Sequence, residues 1–248
     1  MGRLRTSVSV LCFIVSLVSS RASRAAIAWL VGTEAREAVR ESGYLPSPSW
    51  SQEGEDVLLV ELLPDRGVYV DVGAHDPFRF SNTKLLYDQG WSGINIDSTS
   101  DFVEKFERFR PRDINVRSLV GQPGRRKYFR FHEEALNTLS EERAQALVAE
   151  GWELRCVEEV EVRPLSVILD EADVNGTIDL LTIDAEGADL EILQSIDWGQ
   201  NTFTNILVEV SSPAHEIHNC DVAGFLATKG YMASRVWGRS SLFELSRR

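Results

Sequence analysis

The sequence predicts an α/β domain: a mostly parallel sheet with helices on both faces and an antiparallel hairpin at its C-terminal end. Three observations carry this. Short apolar runs rich in valine, isoleucine and leucine recur at residues 68–72, 93–96, 114–118, 180–183 and 206–210, and such near-continuous runs suit strands covered on both faces. Helical patterns stand beside them at residues 83–88, 102–109, 165–172 and 190–196, the interleaving that parallel strands require. The last stretches, 231–236 and 241–245, are joined through Gly238-Arg239 and read as a hairpin capping the sheet edge.

Of the 248 residues, 43% are hydrophobic and 26% charged, a balance that supports one large core rather than a disordered chain. Residues 1–45 read as a separate hydrophobic and helical extension. Arg3 and Arg5 precede an apolar run over residues 8–18, a second run covers 25–31, and a helical pattern follows at 33–42. The first run has the charge and length of a signal peptide's opening regions and falls short of the roughly 18 to 20 apolar residues a spanning helix needs. A signal, a membrane-proximal anchor through residues 8–31 and an ordinary helix stay open. Leu45-Pro46-Ser47-Pro48-Ser49 is rich in turn formers and reads as a linker, so the main domain is expected over residues 50–248. Within it the rhythm breaks once. Residues 127–131 and 157–162 alternate like half-exposed strands around a helix at 141–150, an insertion beside the sheet.

Acidic residues outnumber basic ones 38 to 26, a formal net charge of −12. Phosphate contacts need clustered lysine and arginine, which argues against nucleic acid as a partner. Cys12, Cys156 and Cys220 are far apart and lack Cys-x-x-Cys spacing, so neither a zinc site nor a disulfide framework is indicated.

The strand-end residues carry the chemistry. In Val68-Tyr-Val-Asp71-Val-Gly73-Ala-His75-Asp76 an apolar strand ends in an acid and a glycine. A glycine there lets a ligand approach the backbone, and open α/β sheets bind ligands beyond the carboxyl ends of their strands. The next apolar run ends in Asp97, a carboxylate placed to accept hydrogen bonds from the ribose of a nucleoside cofactor. The loop Gly73-Ala-His-Asp-Pro-Phe lacks the second and third glycines that let a pyrophosphate meet a helix N-terminus. With Asp71 and Asp76 close by, it suits a nucleoside with a positively charged body, and S-adenosyl-L-methionine fits that description. Its cytosolic supply points to a cytoplasmic protein. Further on, Ile178-Asp-Leu-Leu-Thr-Ile-Asp184-Ala-Glu186-Gly187 and Ile206-Leu-Val-Glu209-Val, with His215 after it, bring more carboxylates to the same sheet edge. Such clustering is costly without a cation, a bound hydroxyl or a raised pKa to offset it.

Together these stretches resemble the FkbM family of methyltransferases. The resemblance lies in Ser51-Gln-Glu-Gly-Glu-Asp56, Tyr69-Val-Asp-Val-Gly-Ala-His-Asp-Pro77, Ser81-Asn-Thr83, Gly90-Trp-Ser-Gly-Ile-Asn-Ile-Asp97, Ala135-Leu-Asn-Thr138 and Leu181-Thr-Ile-Asp-Ala-Glu-Gly187, and spans about residues 50 to 210. It implies a Rossmann-like seven-stranded sheet, S-adenosylmethionine as methyl donor and a hydroxyl acceptor on a small molecule, sugar, glycan or natural product. The cofactor-binding residues expected are Gln52, Asp71, Gly73, Asn82, Asp97, Ser98 and Ser118. Two departures stand out: many relatives carry Glu-Pro at Asp97-Ser98 and Lys at Thr182.

Methyl transfer from a sulfonium needs donor and acceptor aligned and the acceptor's proton removed. Asp184, Glu186, Glu209 and His215 are the catalytic candidates, and His132 is a second candidate base because free imidazole titrates near neutrality. Asp184 and Glu209 also form a minimal hard-oxygen set for Mg²⁺. A nucleotide-dependent oxidoreductase, and an inactive membrane-anchored glycan-binding protein of the same fold, are the rival readings.

Overall fold

The computed structural model describes residues 49–174, 176–210 and 220–246. Two sheets organise them. The larger has seven strands in the order β3-β2-β1-β7-β8-β10-β9: β1 (Val68–Val72), β2 (Ser92–Asp97), β3 (Ile114–Arg117), β7 (Gly176–Ile183), β8 (Asn201–Glu209), β9 (Tyr231–Trp237) and β10 (Ser240–Leu245). The first five run parallel, with Val70 opposite Ile94 on one side and Leu181 on the other. β10 pairs antiparallel with β8, and β9 with β10. The expected hairpin stands at that edge of the sheet, beyond β8.

Helices cover both faces. Side chains alternate across a strand, so Val70 and Val72 of β1 join the core formed with α5 (Leu165–Glu171), α6 (Asp189–Gln194) and α7 (Asp221–Thr228). Tyr69 turns the other way, among Leu59 of α1 (Glu55–Leu62), Leu86 of α2 (Lys84–Asp88) and Trp91. On α3 (Phe102–Phe109), Phe102 and Phe106 sit one turn apart, both fully buried against Ala74. The sequence patterns did not indicate α1 or α7.

The insertion is a three-stranded sheet in the order β4-β6-β5, formed by β4 (Leu119–Val120), β5 (Gly124–Phe131) and β6 (Leu154–Arg163). Between β5 and β6 lies α4 (Glu141–Ala149). Ser140 caps it by accepting from the Arg143 amide at 3.1 Å, and Glu141 and Glu142 fill its first turn, both favourable at a helix N-terminus. The short β4 begins two residues after β3, so the insertion sits beside the carboxyl end of the main sheet.

The apolar segment 8–31, the helix expected at 33–42 and His215 lie outside the described residues. No described helix is long and apolar enough to cross a membrane.

Candidate active site

Chain order reverses across the β1–β7 pair, and in open α/β sheets such a reversal leaves a crevice beyond the strand carboxyl ends. A cleft open to solvent lies there. Gly73 follows β1, Asp97 and Ser98 stand at the end of β2, Ser118 follows β3, and Asp184 and Glu186 follow β7; all six line it. Ile96, Leu119, Val120 and Ile192 give it an apolar part, and the insertion contributes Tyr128.

Hydrogen bonds fix these side chains. Asp97 Oδ1 accepts from the Thr99 amide at 2.7 Å and the Thr99 hydroxyl at 2.6 Å, while Oδ2 accepts from the His75 amide at 3.0 Å. A carboxylate oxygen has two acceptor sites, so Oδ2 keeps one for a ligand hydroxyl. Ser98 Oγ and the Tyr128 hydroxyl lie 2.6 Å apart, and burial pushes the Tyr128 pKa up to about 12, so the phenol stays protonated. At the other end of the cleft, Asp56 accepts from Ser49 and Ser51 hydroxyls at 2.8 and 2.9 Å and from the Trp50 amide at 2.7 Å. That network folds residues 49–51 so that Gln52 reaches the cleft.

A smaller polar annex continues from the cleft. Gln52, Phe80 and Asp184 line both spaces; Glu53, Glu55, Asn82, Glu209, Arg239 and Ser240 complete the annex among the described residues. Arg239, in the β9–β10 turn, donates to Gln52 Oε1 at 2.7 Å, pairs with Glu209 at 2.8 Å and offers its amide to Glu53 at 3.1 Å.

Carboxylates dominate this region. Asp184, Glu186 and Glu209 each place an oxygen within 4.8 Å of the others. Burial first, then the neighbouring and hydrogen-bonded Glu209, hold the Asp184 pKa well above the ordinary carboxylate range. The Glu186 pKa is raised chiefly by burial and next by Glu209, although Arg143, 3.2 Å from its Oε2, opposes the shift. Burial lifts Asp189 to about 7 even though it accepts from the Ala185 and Gly187 amides. Strain gathers here too: of the four described non-glycine residues with positive φ, His75 (51°), Phe80 (58°) and Glu186 (47°) line the cleft. Such conformations cost of order 1 to 3 kcal/mol and cluster at functional sites.

With this geometry in view, a match to a family model decides the affiliation: the methyltransferase FkbM domain matches residues 71–232. The chain belongs to the FkbM methyltransferase family. A solved FkbM methyltransferase from Methylobacillus flagellatus KT is similar at 13% identity with a TM-score of 0.48, over 98% of this chain and 59% of that one. This chain thus spans about three fifths of that protein's length. No curated protein matches.

In this FkbM chain, Gln52, Gly73, Asp97, Ser98, Ser118, Asp184 and Glu186 come together in the cleft, and Asn82 and Glu209 in the annex. Asn82 donates to the Thr182 hydroxyl at 3.3 Å. Asp71 does not line the cleft. On β1 it alternates with Val70 and Val72 and so faces the opposite side, where it accepts from Thr83 at 2.6 Å. Burial raises its pKa to about 6, and Thr83 and Arg110 oppose the shift. Gly73 is also corrected in its reason: a Cβ there would meet the Asp184 carbonyl oxygen at 1.9 Å, so the glycine serves the approach of two backbones before that of any ligand. His132 is exposed and does not line the cleft. Phe80, Tyr128 and Arg239 were missed. They come from a loop, the insertion and the terminal hairpin, and no strand-end pattern marks them.

Proposed function

We propose that this chain transfers a methyl group from S-adenosyl-L-methionine to a hydroxyl oxygen of a sugar, glycan or natural-product acceptor. One observation carries the reading: a single cleft at the switch point joins an apolar part beside Asp97 to a carboxylate-rich part at Asp184 and Glu186. The donor set fits this cofactor. Ile96, Leu119, Val120 and Ile192 offer a flat base an apolar bed, the open site on Asp97 Oδ2 suits a ribose hydroxyl, and the acidic end favours a cation over a pyrophosphate.

When bound, S-adenosylmethionine supplies a methyl carbon on positively charged sulfur, open to in-line displacement by an oxygen lone pair. The residues of this chain do the rest. Asp97, Ser98 and Ser118 hold the nucleoside end, while the carboxylate-rich end of the same cleft, at Gln52, Phe80 and Asp184, receives the acceptor hydroxyl. The Asp184–Glu209 pair takes the acceptor's hydroxyl proton, a role worth roughly 10² to 10⁴ in rate for a positioned base. Asp184's raised pKa makes its ionised form the stronger base. Glu186 and Arg143 brace the loop after β7.

The three carboxylates of Asp184, Glu186 and Glu209 also offer an oxygen set to Mg²⁺, which gives a second reading in which the ion lowers the acceptor's pKa. EDTA separates the two, because only a metal-dependent enzyme loses turnover to it and regains it with Mg²⁺.

The cofactor assignment is tested by thermal melting with S-adenosylhomocysteine, S-adenosylmethionine and NAD. A specific ligand at about 100 times its Kd stabilises by about 2.7 kcal/mol. A rise in Tm with NAD alone would return the oxidoreductase reading. A rise with neither would leave a binding module.

A further inference from the structure

We infer that the amino end of the main sheet is a docking surface for an anionic phospholipid bilayer, met by Arg66, Arg108 and Arg112 and by the apolar side chains among them. The inference is independent of the methyl-transfer reading and begins from topology. Parallel strands share their amino ends, so the connections 63–67 into β1, 89–91 into β2 and 110–113 into β3 lie side by side at the end remote from the cleft. Contacts join them. The Trp91 indole donates to the Pro64 carbonyl at 3.2 Å, and Arg112 donates to the Tyr87 carbonyl and, at 3.5 Å, to that of Trp91. Arg66 stands beside Gly90, its Nε 4.0 Å from where a Cβ would lie.

Exposed apolar side chains gather at the same end. Leu62 and Phe109 close α1 and α3, Val68 and Ile114 open β1 and β3, and all four are 37 to 44% exposed. β1 and β3 flank β2, so Val68 and Ile114 stand two strand spacings, about 10 Å, apart across the sheet. Phe109 continues the stripe of Phe102 and Phe106 on α3 but runs out past the core, its ring centroid 4.9 Å from that of Phe78. Single exposed apolar residues need no explanation, whereas a contiguous set rimmed by charged groups marks an interaction site.

Charge names the partner. Among the described residues Arg66, Arg108 and Arg112 make no ion pair, in a chain whose net charge is −12. Arg108 lies 5.0 Å from the Phe109 ring centroid and Arg112 3.7 Å from that of Tyr87. Exposed Asp65 and Glu107 are their neighbours in sequence and hold none of them, Asp88 is taken by Lys84, and Asp113 turns inward to Tyr69 and Asn95. An isologous contact between two copies would set these arginines against one another, and nucleic acid offers phosphates but no apolar phase for Leu62, Val68 and Ile114. A bilayer offers both, with headgroup phosphates for the guanidinium groups and an apolar boundary beneath them. The net charge opposes docking only from afar, because physiological salt screens charges beyond about 8 Å. Docked by its amino end, the sheet keeps the cleft, at the carboxyl ends, facing water.

The test is co-sedimentation of the full chain with vesicles of phosphatidylcholine alone and of phosphatidylcholine with one part in three phosphatidylserine. Comparing the two cancels whatever the apolar runs at 8–18 and 25–31 contribute to both. Binding is expected to be tighter on the anionic vesicles and to weaken as salt rises from about 0.1 to 0.5 M. Arg66→Gln with Arg108→Gln should remove about 10- to 30-fold of that preference, the effect of two charges near a membrane surface. Urea melts should stay unchanged, since neither guanidinium makes a hydrogen bond or ion pair among the described residues. Arg125→Gln with Lys127→Gln, on the insertion, removes the same charge elsewhere and should leave the preference nearly intact. Equal binding to both vesicles, a preference that survives Arg66→Gln with Arg108→Gln, or one that the insertion pair lowers as much, overturns the inference. So does a dimer that forms without lipid and dissociates in the Arg66→Gln, Arg108→Gln variant, which would make this face an interface between copies.

Discussion

The carbonyl oxygen of Asp184 occupies the place a side chain would need at Gly73: a Cβ there would stand 1.9 Å from it. The Asp184 amide donates to the Val72 carbonyl at 3.0 Å, so the ends of β1 and β7 are locked together at the point where the Asp184 carboxylate enters the cleft.

Gly73→Ala should therefore cost on the order of 2 kcal/mol or more, because φ is 84° and the carbonyl cannot give way without moving Asp184. Urea denaturation gives the stability and calorimetry the affinity for S-adenosylhomocysteine, and both should fall together. A variant as stable as the parent would mean that the two strand ends are not in this contact.

Asp97→Ala should weaken S-adenosylhomocysteine binding by about 1.5 to 3 kcal/mol, the range for hydrogen bonds to a charged group. The same change frees the Thr99 and His75 amides, so some stability is lost as well. Asp97→Asn keeps an acceptor and separates the two effects. Unchanged affinity in a folded Asp97→Ala chain would remove the ribose assignment.

Strand ends were the legible part of this molecule. Asp97, Asp184 and Glu209 each close an apolar run, and parallel strands bring such ends to one edge whatever the loops do. Asp71 shares that pattern but, as the parity of Val70, Asp71 and Val72 implies, turns to the other face and bonds Thr83. Tyr128, Phe80 and Arg239 reach the site through tertiary packing of the insertion, the 77–83 loop and the hairpin. Nothing local in their sequence encodes that. The helix α1 was hidden for a related reason: its short run follows the Asp56 network rather than a marked cap, with Gly54 before it in the left-handed conformation.

Stability should fall as the pH rises through neutrality. Asp189 moves from 3.8 to about 7, and Asp71 to about 6, both chiefly through burial. The native state favours their protonated forms, so this contribution is complete below about pH 4 and is lost as pH climbs through the raised values, at up to about 1.4 kcal/mol per pH unit for one proton. Asp189→Asn keeps an acceptor for one of the Ala185 and Gly187 amides and cannot ionise. Urea melts between about pH 4 and 8 should show a flatter profile for the variant; identical slopes would mean that Asp189 ionises freely in the fold.

The final prediction concerns the Asp184–Glu209 pair and turnover. Asp184 holds its proton well above the usual range first through burial and then through the neighbouring, hydrogen-bonded Glu209 carboxyl. A base that must first lose this proton makes the rate rise with pH and level off once Asp184 is ionised. Glu209→Gln removes the second cause of the shift, so the Asp184 pKa should drop and the rising limb should move to lower pH. Asp184→Asn should abolish the limb and lower kcat and kcat/KM together by about 10² to 10⁴, the signature of a group that acts in the transition state. Glu209→Gln should leave S-adenosylhomocysteine affinity unchanged, since Glu209 lies in the annex, and Asp184→Asn should cost turnover far more than affinity. Rates for wild type and both variants, measured on a verified glycoside acceptor, decide the matter. A limb that stays in place in Glu209→Gln, or full turnover in Asp184→Asn, would falsify the proton-acceptor role and leave the carboxylates to electrostatics or to Mg²⁺, which the EDTA response distinguishes.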